Sequence, residues 1–301
     1  MRRRAIASTC TALAAAVLVT GCGGAGKARP DLAFVSTRDG DYAIFAMNAD
    51  GSRQKRLTHE RGNPATPRGL FFQLGPAWSP NAQQIAFSSQ RDGPSSIYVM
   101  RADGSDTRRL TSTKDDDTDP TWSPDGRRIA FTRSNPGHIF VMRADGTGVR
   151  RITADLATEE EPDWSPNGRW IAYVRREPGT AIREIWLVHP DGSGRRQLTH
   201  LKVTSFAPAW SPDSSRLTFS SNSSSTNYHI YEIRPDGKGL RLMTQEASDD
   251  FEPAWSPDGK VIAFSRGGAI WTVDAAGGNE RQLTNPKNND SSPAWKPGAK
   301  S

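Results

Sequence analysis

Pro253-Ala254-Trp255-Ser256-Pro257-Asp258-Gly259, with Ile262-Ala263-Phe264 close behind it, decides the fold because the chain repeats it. Trp followed by Ser-Pro stands at Trp78, Trp122, Trp164, Trp210 and Trp255. Trp295-Lys296-Pro297 is a sixth copy, and neighbouring copies lie 40–46 residues apart. An apolar triplet follows most of them: Ile85-Ala86-Phe87, Ile129-Ala130-Phe131, Ile171-Ala172-Tyr173, Leu217-Thr218-Phe219 and Ile262-Ala263-Phe264. Next comes an alternating run such as Ile97-Tyr98-Val99-Met100, then Asp-Gly (Ala276-Gly277 in the sixth unit), then a basic stretch ending in Leu-Thr or a near equivalent. Each unit thus holds four short strand candidates, here called a to d. Pro in Ser-Pro-Asp-Gly presets φ for a β-turn between a and b. Asp-Gly predicts a two-residue primed hairpin turn between c and d, because Gly tolerates positive φ. Four strands at this period describe a β-propeller blade.

The two ends fix the blade count. Leu32-Ala33-Phe34 is a strand b with no Trp before it, and Trp295 closes a strand a with no triplet after it. Only ring closure pairs these orphans and removes two raw sheet edges. The expected fold is all-β: a six-bladed propeller with four antiparallel strands per blade, closed by pairing of the C-terminal strand with the N-terminal blade. The 27 Gly, 21 Pro and 35% apolar content among 301 residues suit many thin strands better than one thick core.

Residues 1–21 open with Arg2-Arg3-Arg4 and continue through an Ala/Leu/Val-rich stretch to Leu18-Val19-Thr20-Gly21, ahead of Cys22. This is the pattern of a secretory signal, and its end resembles the lipobox of bacterial lipoproteins. The resemblance implies diacylglyceryl transfer to Cys22 and cleavage after Gly21. Residues 22–30 then form a lipid-anchored flexible tether and 31–301 the propeller. Cys10 falls within the signal, leaving Cys22 with no disulfide partner. The protein is expected to be exported and held by lipid on the cell membrane or outer membrane, facing the periplasm or extracytoplasmic space. Beyond the N-terminus no apolar run is long enough for a membrane span.

The whole chain carries a net charge of +6, and removing the three Arg of the signal leaves +3. So near a balance gives no concentrated cationic surface for phosphate, and no nucleic-acid partner is expected. A monomer is expected.

The series Pro-x-Trp-Ser-Pro-Asp-Gly, Ile-Ala-Phe, Ile-Tyr-Val-Met, Ala-Asp-Gly and Leu-Thr resembles the WD40-like repeat of the TolB propeller family, over nearly all of residues 31–301. The resemblance implies protein–protein binding at the mouth of the central channel. TolB itself carries an N-terminal α/β domain and no lipid anchor. Here only the short tether is expected in that place.

The six Trp are tempting as stacking platforms, but a feature present in every blade serves what every blade needs, which is packing on its neighbour. No catalytic motif is evident. His59, His138, His189, His200 and His229 are scattered, no Gly-x-Ser-x-Gly elbow occurs, and the polar run Ser221–Thr226 shows no nearby base.

Alternating strand direction places the a–b and c–d turns on one face and the b–c and d–a loops on the other. The varied loops of the second face make it the recognition face. Its d–a loops hold Asp116, Asp119, Glu160, Glu161, Asp250 and Glu252 and net about −9, whereas the turn face nets about +11. Asp119, Glu161 and Glu252 directly precede the Pro of strand a, the innermost strand, so they should ring the channel mouth. All six are candidates for binding a cationic protein segment, a basic small molecule or a metal ion, Ca²⁺ being the candidate cofactor. The leading reading is a non-catalytic, lipid-anchored docking platform with an unidentified protein partner. The alternatives are an envelope or extracellular enzyme acting on glycan or peptide, and a sensor for a cation or small ligand. The tether leaves on the basic face, which would then meet anionic lipid.

Overall fold

The computed structural model describes residues 31–59 and 75–298. The signal, Cys22 and the tether lie outside the described residues. Six four-stranded antiparallel sheets form the ring. The inner strands are Ala77–Trp78, Asp117–Trp122, Thr158–Trp164, Ser205–Trp210, Asp250–Trp255 and Asp290–Trp295. Closure follows the expected pairing, with Trp295 opposite Leu32 and Ala294 opposite Ala33. Blade 1 is therefore built from both ends of the described chain, and blades 2 to 6 follow in sequence order.

The hydrophobic cores lie between blades rather than within them. Trp78 of blade 2 packs with Ala33, Val35, Ile44 and Leu57 of blade 1 and with Ile85 and Phe87 of its own blade. Trp122 repeats this one blade on, with Ala86, Ile97 and Val99. The closing seam joins Leu32, Phe34 and Phe45 to Ala263 and Ile270 of blade 6. Trp78 and Trp122 also donate their indole N–H to the inner strand behind, at Ala294 O (3.1 Å) and Ala77 O (3.2 Å). Burying one such ring contributes about 2–3 kcal/mol, so the repeated Trp act as mortar between wedges.

Leu-Thr has an equally local cause. In all six blades the Thr hydroxyl accepts the N–H of the first Ile of strand c, fourteen residues earlier, from Thr58 on Ile44 through Thr284 on Ile270. That bond ties the short strand d to strand c.

The c–d turn departs from the expected primed hairpin. Gly51 N–H bonds Asn48 O and Asn48 N–H bonds Ser52 O, so Asp50 sits third in an ordinary β-turn, with Gly51 left-handed after it at φ 86° and Arg53 again at φ 53°. Strand d starts several residues later, which leaves room for this longer loop. Gly is required twice over at this point: in blade 2 a Cβ on Gly104 would meet Leu57 O of blade 1 at 2.4 Å. The first basic residue of strand d then staples forward. Arg108, Arg150, Arg196, Arg241 and Arg281 each donate to a carbonyl in the next blade's c–d turn.

Candidate functional site

Pro has no N–H to give to a ladder; five of the six inner strands carry one, and Pro76 directly precedes the sixth. Pairing with strand b slips there, between Thr118 and Thr121, Glu160 and Asp163, Phe206 and Ala209, and Phe251 and Ala254. The residue before each Pro absorbs the bulge in left-handed backbone. Asp119, Glu161, Ala207, Glu252 and Ser292 have φ between 49° and 55°, and Gly75 has φ 25°. All six of these residues line a central cavity of about 1350 Å³. A bulge that re-aims a side chain beside a cavity is a recurrent use of this backbone defect.

Three of the six sequence candidates, Asp119, Glu161 and Glu252, thus stand on the lumen. Further carboxylates line it: Asp163, two residues beyond Glu161, together with Asp249 and Asp290. Sequence reasoning missed Asp163, although a signal was present: it alone is acidic at the position before the Trp, where the other blades have Ala77, Thr121, Ala209, Ala254 and Ala294.

Glu161, Asp163 and Glu252 each hold the backbone of a neighbouring blade, whereas Asp119 bonds within its own. Glu161 accepts Ala207 N–H on Oε2 (2.6 Å) and has no hydrogen-bond partner on Oε1 among the described residues. Glu252 accepts Ser292 N–H (2.7 Å) and the hydroxyls of Ser292 and Ser265 (2.9 Å each). Asp163 accepts Trp210 N–H (2.8 Å) and the Thr121 hydroxyl (3.3 Å), joining three consecutive inner strands. Asp119 accepts the Thr118 hydroxyl (2.9 Å).

Their protonation is shifted. Each keeps some contact with the lumen, yet protein surrounds it on the blade side, and this enclosure is the largest cause. It pushes Asp119 up to about 6, with Glu160 and Glu252 adding repulsion against the pull of the Thr118 hydroxyl. Glu161 rises to about 8 through enclosure, then Asp119 and Glu160, opposed by the Ala207 N–H and Arg183. Asp163 rises to about 6 through enclosure, opposed by its N–H and hydroxyl donors. Charged carboxylates crowded into a narrow cavity disfavour one another.

The other three candidates are placed elsewhere. Asp116 accepts Ser95 N–H (2.6 Å) and stitches loops of adjacent blades. Glu160 is half-buried, 3.8 Å from Arg183, and reaches the lumen through its field alone. Asp250 is fully buried and paired bidentately with Arg266, at 2.5 and 2.9 Å. It belongs to a belt of such pairs: Asp117 with Arg133, Glu159 with Arg195 and Arg175, and Asp290 with Arg38. The guanidiniums of Arg38, Arg133 and Arg266 also stack on paired aromatic rings of strands b and c. Blade 5 replaces the pair with Ser205 and Ser221, hydroxyl to hydroxyl at 3.0 Å.

The Ser221–Thr226 run does have a base in reach, contrary to the expectation. Ser225 Oγ lies 3.0 Å from His229 Nε2, because the loop between strands b and c folds back on the start of strand c. Asp250 Oδ2 is 3.8 Å from His229 Nδ1, too long for a hydrogen bond, and both its oxygens are held by Arg266. Beside them Phe206, Tyr228 and Phe251 form a half-exposed aromatic cluster with ring centroids 5.2–5.8 Å apart. Phe206 and Phe251 line the cavity. Among the described residues no three His, Cys, Asp or Glu side chains are grouped closely enough to hold a metal ion.

A family profile described as the TolB beta propeller domain matches residues 68–200 and 161–301. The Tol-Pal system protein TolB of Geobacter sulfurreducens is 33% identical over 87 residues, 29% of this chain and 18% of that protein. An uncharacterized peptidase of Bacillus subtilis, YuxL, is 35% identical over 78 residues, 26% of this chain and 12% of the peptidase. The matches cover less than a third of the length of these curated relatives. The crystal structure of TolB from Acinetobacter baumannii superposes with a TM-score of 0.76 at 22% identity, covering 89% of this chain and 67% of that one. At that identity the superposition speaks for the fold, and the family rests on the profile spanning blades 2 to 6 and the closing strand. The chain belongs to the TolB β-propeller domain family.

Proposed function

We propose that the protein is an exported lipoprotein, anchored through Cys22, whose propeller is a docking platform that takes a cationic segment of a protein partner into the lumen. One observation carries this reading. Asp119, Glu161, Asp163 and Glu252 share one cavity, and none of them forms an ion pair among the described residues. The belt carboxylates on the same strands are neutralised by Arg. An incoming Lys or Arg would stabilise the charged carboxylates against the enclosure, and for Asp119 and Glu161 the repulsion, that raise the lumen values, so binding releases protons and strengthens as pH rises through about 6 to 8. Membership of the TolB family and the name of the Geobacter relative support an envelope role.

The test is photo-crosslinking on intact cells from a reactive residue placed at Ala207, with the partner identified and its binding then measured in purified form. Asp119→Asn, Glu161→Gln and Glu252→Gln together should weaken that binding at least ten-fold. Unchanged binding refutes the lumen reading. Thermal stabilisation by Ca²⁺ that disappears in the same variant would favour an inorganic cation as the occupant. Retention of a Cys22→Ala chain in the membrane after removal of its signal and a high-salt wash, which strips electrostatic surface contacts, would refute the lipid anchor.

The contact between Ser225 and His229 supports a second, enzymatic reading. A fluorophosphonate probe that labels the wild type but not Ser225→Ala would establish it, and absence of labelling removes its only support.

A further inference from the structure

The turn face remains outside the lumen reading, and three features of it belong together. Its cations are partly fixed in position and partly free. Arg108, Arg150 and Arg241 are exposed yet held by carbonyls of the next blade, while Arg53, Lys55 and Lys238 are exposed with no side-chain hydrogen bond or ion pair among the described residues. Next, apolar side chains stand among these cations. Val149 and Leu240, 41% and 44% exposed, directly precede the stapling Arg150 and Arg241. Cations interleaved with exposed aliphatic groups are the composition of a membrane-interfacial surface. Last, the described chain begins on this face. Asp31 receives Ala49 N–H from the c–d turn of blade 1 (3.1 Å) and Lys296 N–H from beyond the closing strand (2.8 Å). The nine steps from Cys22 to Asp31 reach at most about 30 Å, so a lipid at Cys22 keeps this face within reach of the bilayer.

We propose that the turn face is a second membrane contact, resting on anionic phospholipid headgroups with Val149 and Leu240 at the interface, so that the lumen mouth on the opposite face points away from the bilayer. The orientation rests on the anchor at Cys22 read above, whereas the lipid contact stands without it. Each Lys or Arg near an anionic leaflet adds about five-fold to surface affinity, and the contact weakens with salt.

The experiment places the full processed protein on nanodiscs of phosphatidylcholine alone or with three-tenths phosphatidylglycerol, and reads amide hydrogen exchange. The expected result is protection of residues 48–54, 143–151 and 234–242 on the anionic discs only, with the b–c loops unaffected. Arg53→Glu, Lys55→Glu and Lys238→Glu together should abolish that protection and lower affinity for anionic discs about 100-fold, at an unchanged melting temperature. Retention on neutral discs reads the anchor separately. Retention without turn-face protection on anionic discs overturns this proposal and spares the anchor. Protection on anionic discs without retention on neutral ones does the reverse. Equal protection on both disc types, or protection that survives the charge reversal, also overturns it.

Discussion

Asp250 and Glu252 lie two residues apart on one inner strand and live under opposite rules. Asp250 is sealed between blades with the Arg266 guanidinium across both oxygens, whereas Glu252 lines the lumen and answers only to N–H and hydroxyl donors. Asp117 and Asp119 repeat the contrast, as do Glu159 and Glu161. Two residues along a regular strand would keep all these side chains on one face. The bulge before Pro breaks that rule and divides each pair between blade interior and lumen. One position is balanced at home; the other is left for something to arrive.

The comparison can be broken most forcefully at the belt. Arg266→Met should cost about 3–5 kcal/mol, because it leaves Asp250 buried and unpaired. The double change Asp250→Ser with Arg266→Ser, which copies blade 5, should recover most of that loss in urea unfolding. A single variant within about 1 kcal/mol of wild type would show that the belt is not a true ion pair. Next is the pH dependence. Folded-state values of Asp119, Glu161 and Asp163 stand above their unfolded values, so the folded protein binds the extra protons. Stability is therefore greatest below about pH 4 to 4.5 as far as these groups act, and is lost as pH rises to about 6 for the aspartates and 8 for Glu161. Lumen water screens the effect, and a loss on the order of 2 kcal/mol across that window is expected. Asp119→Asn, Glu161→Gln and Asp163→Asn together should flatten the profile; a slope that persists assigns it to other groups. Asp163→Ala, which frees Trp210 N–H and the Thr121 hydroxyl, should cost about 1–3 kcal/mol, readable as a lower melting temperature that Asp163→Asn largely restores. The smallest effect is expected from Glu160→Gln. It removes a field without a contact, and should lower the midpoints of Asp119 and Glu161, followed by carboxyl NMR, by less than about one pH unit.

The blade was legible from local chemistry. Trp-Ser-Pro, Asp-Gly and Leu-Thr each perform a task within or next to their own repeat, and a task done in every blade writes itself into the sequence every 40–46 residues. The ion-pair belt was legible in principle. Asp117 with Arg133, Glu159 with Arg175, and Asp250 with Arg266 share a spacing of sixteen, and Ser205 with Ser221 keeps that spacing after both charges are gone. The pairing passes unnoticed in a count of loop charges, which is why such a count sets Asp250 beside Glu252 among the binding candidates. The Ser225–His229 contact depends on how one irregular loop returns to strand c, and no repeat announces it.

Six wedges, their strand order and the seam that closes them follow from periodicity and from the cost of an unpaired edge, both written in the residues. Which acids face the lumen emerges with the folded ring, because that choice is made by a left-handed residue before each Pro and by whether an Arg lies within reach across the sheet.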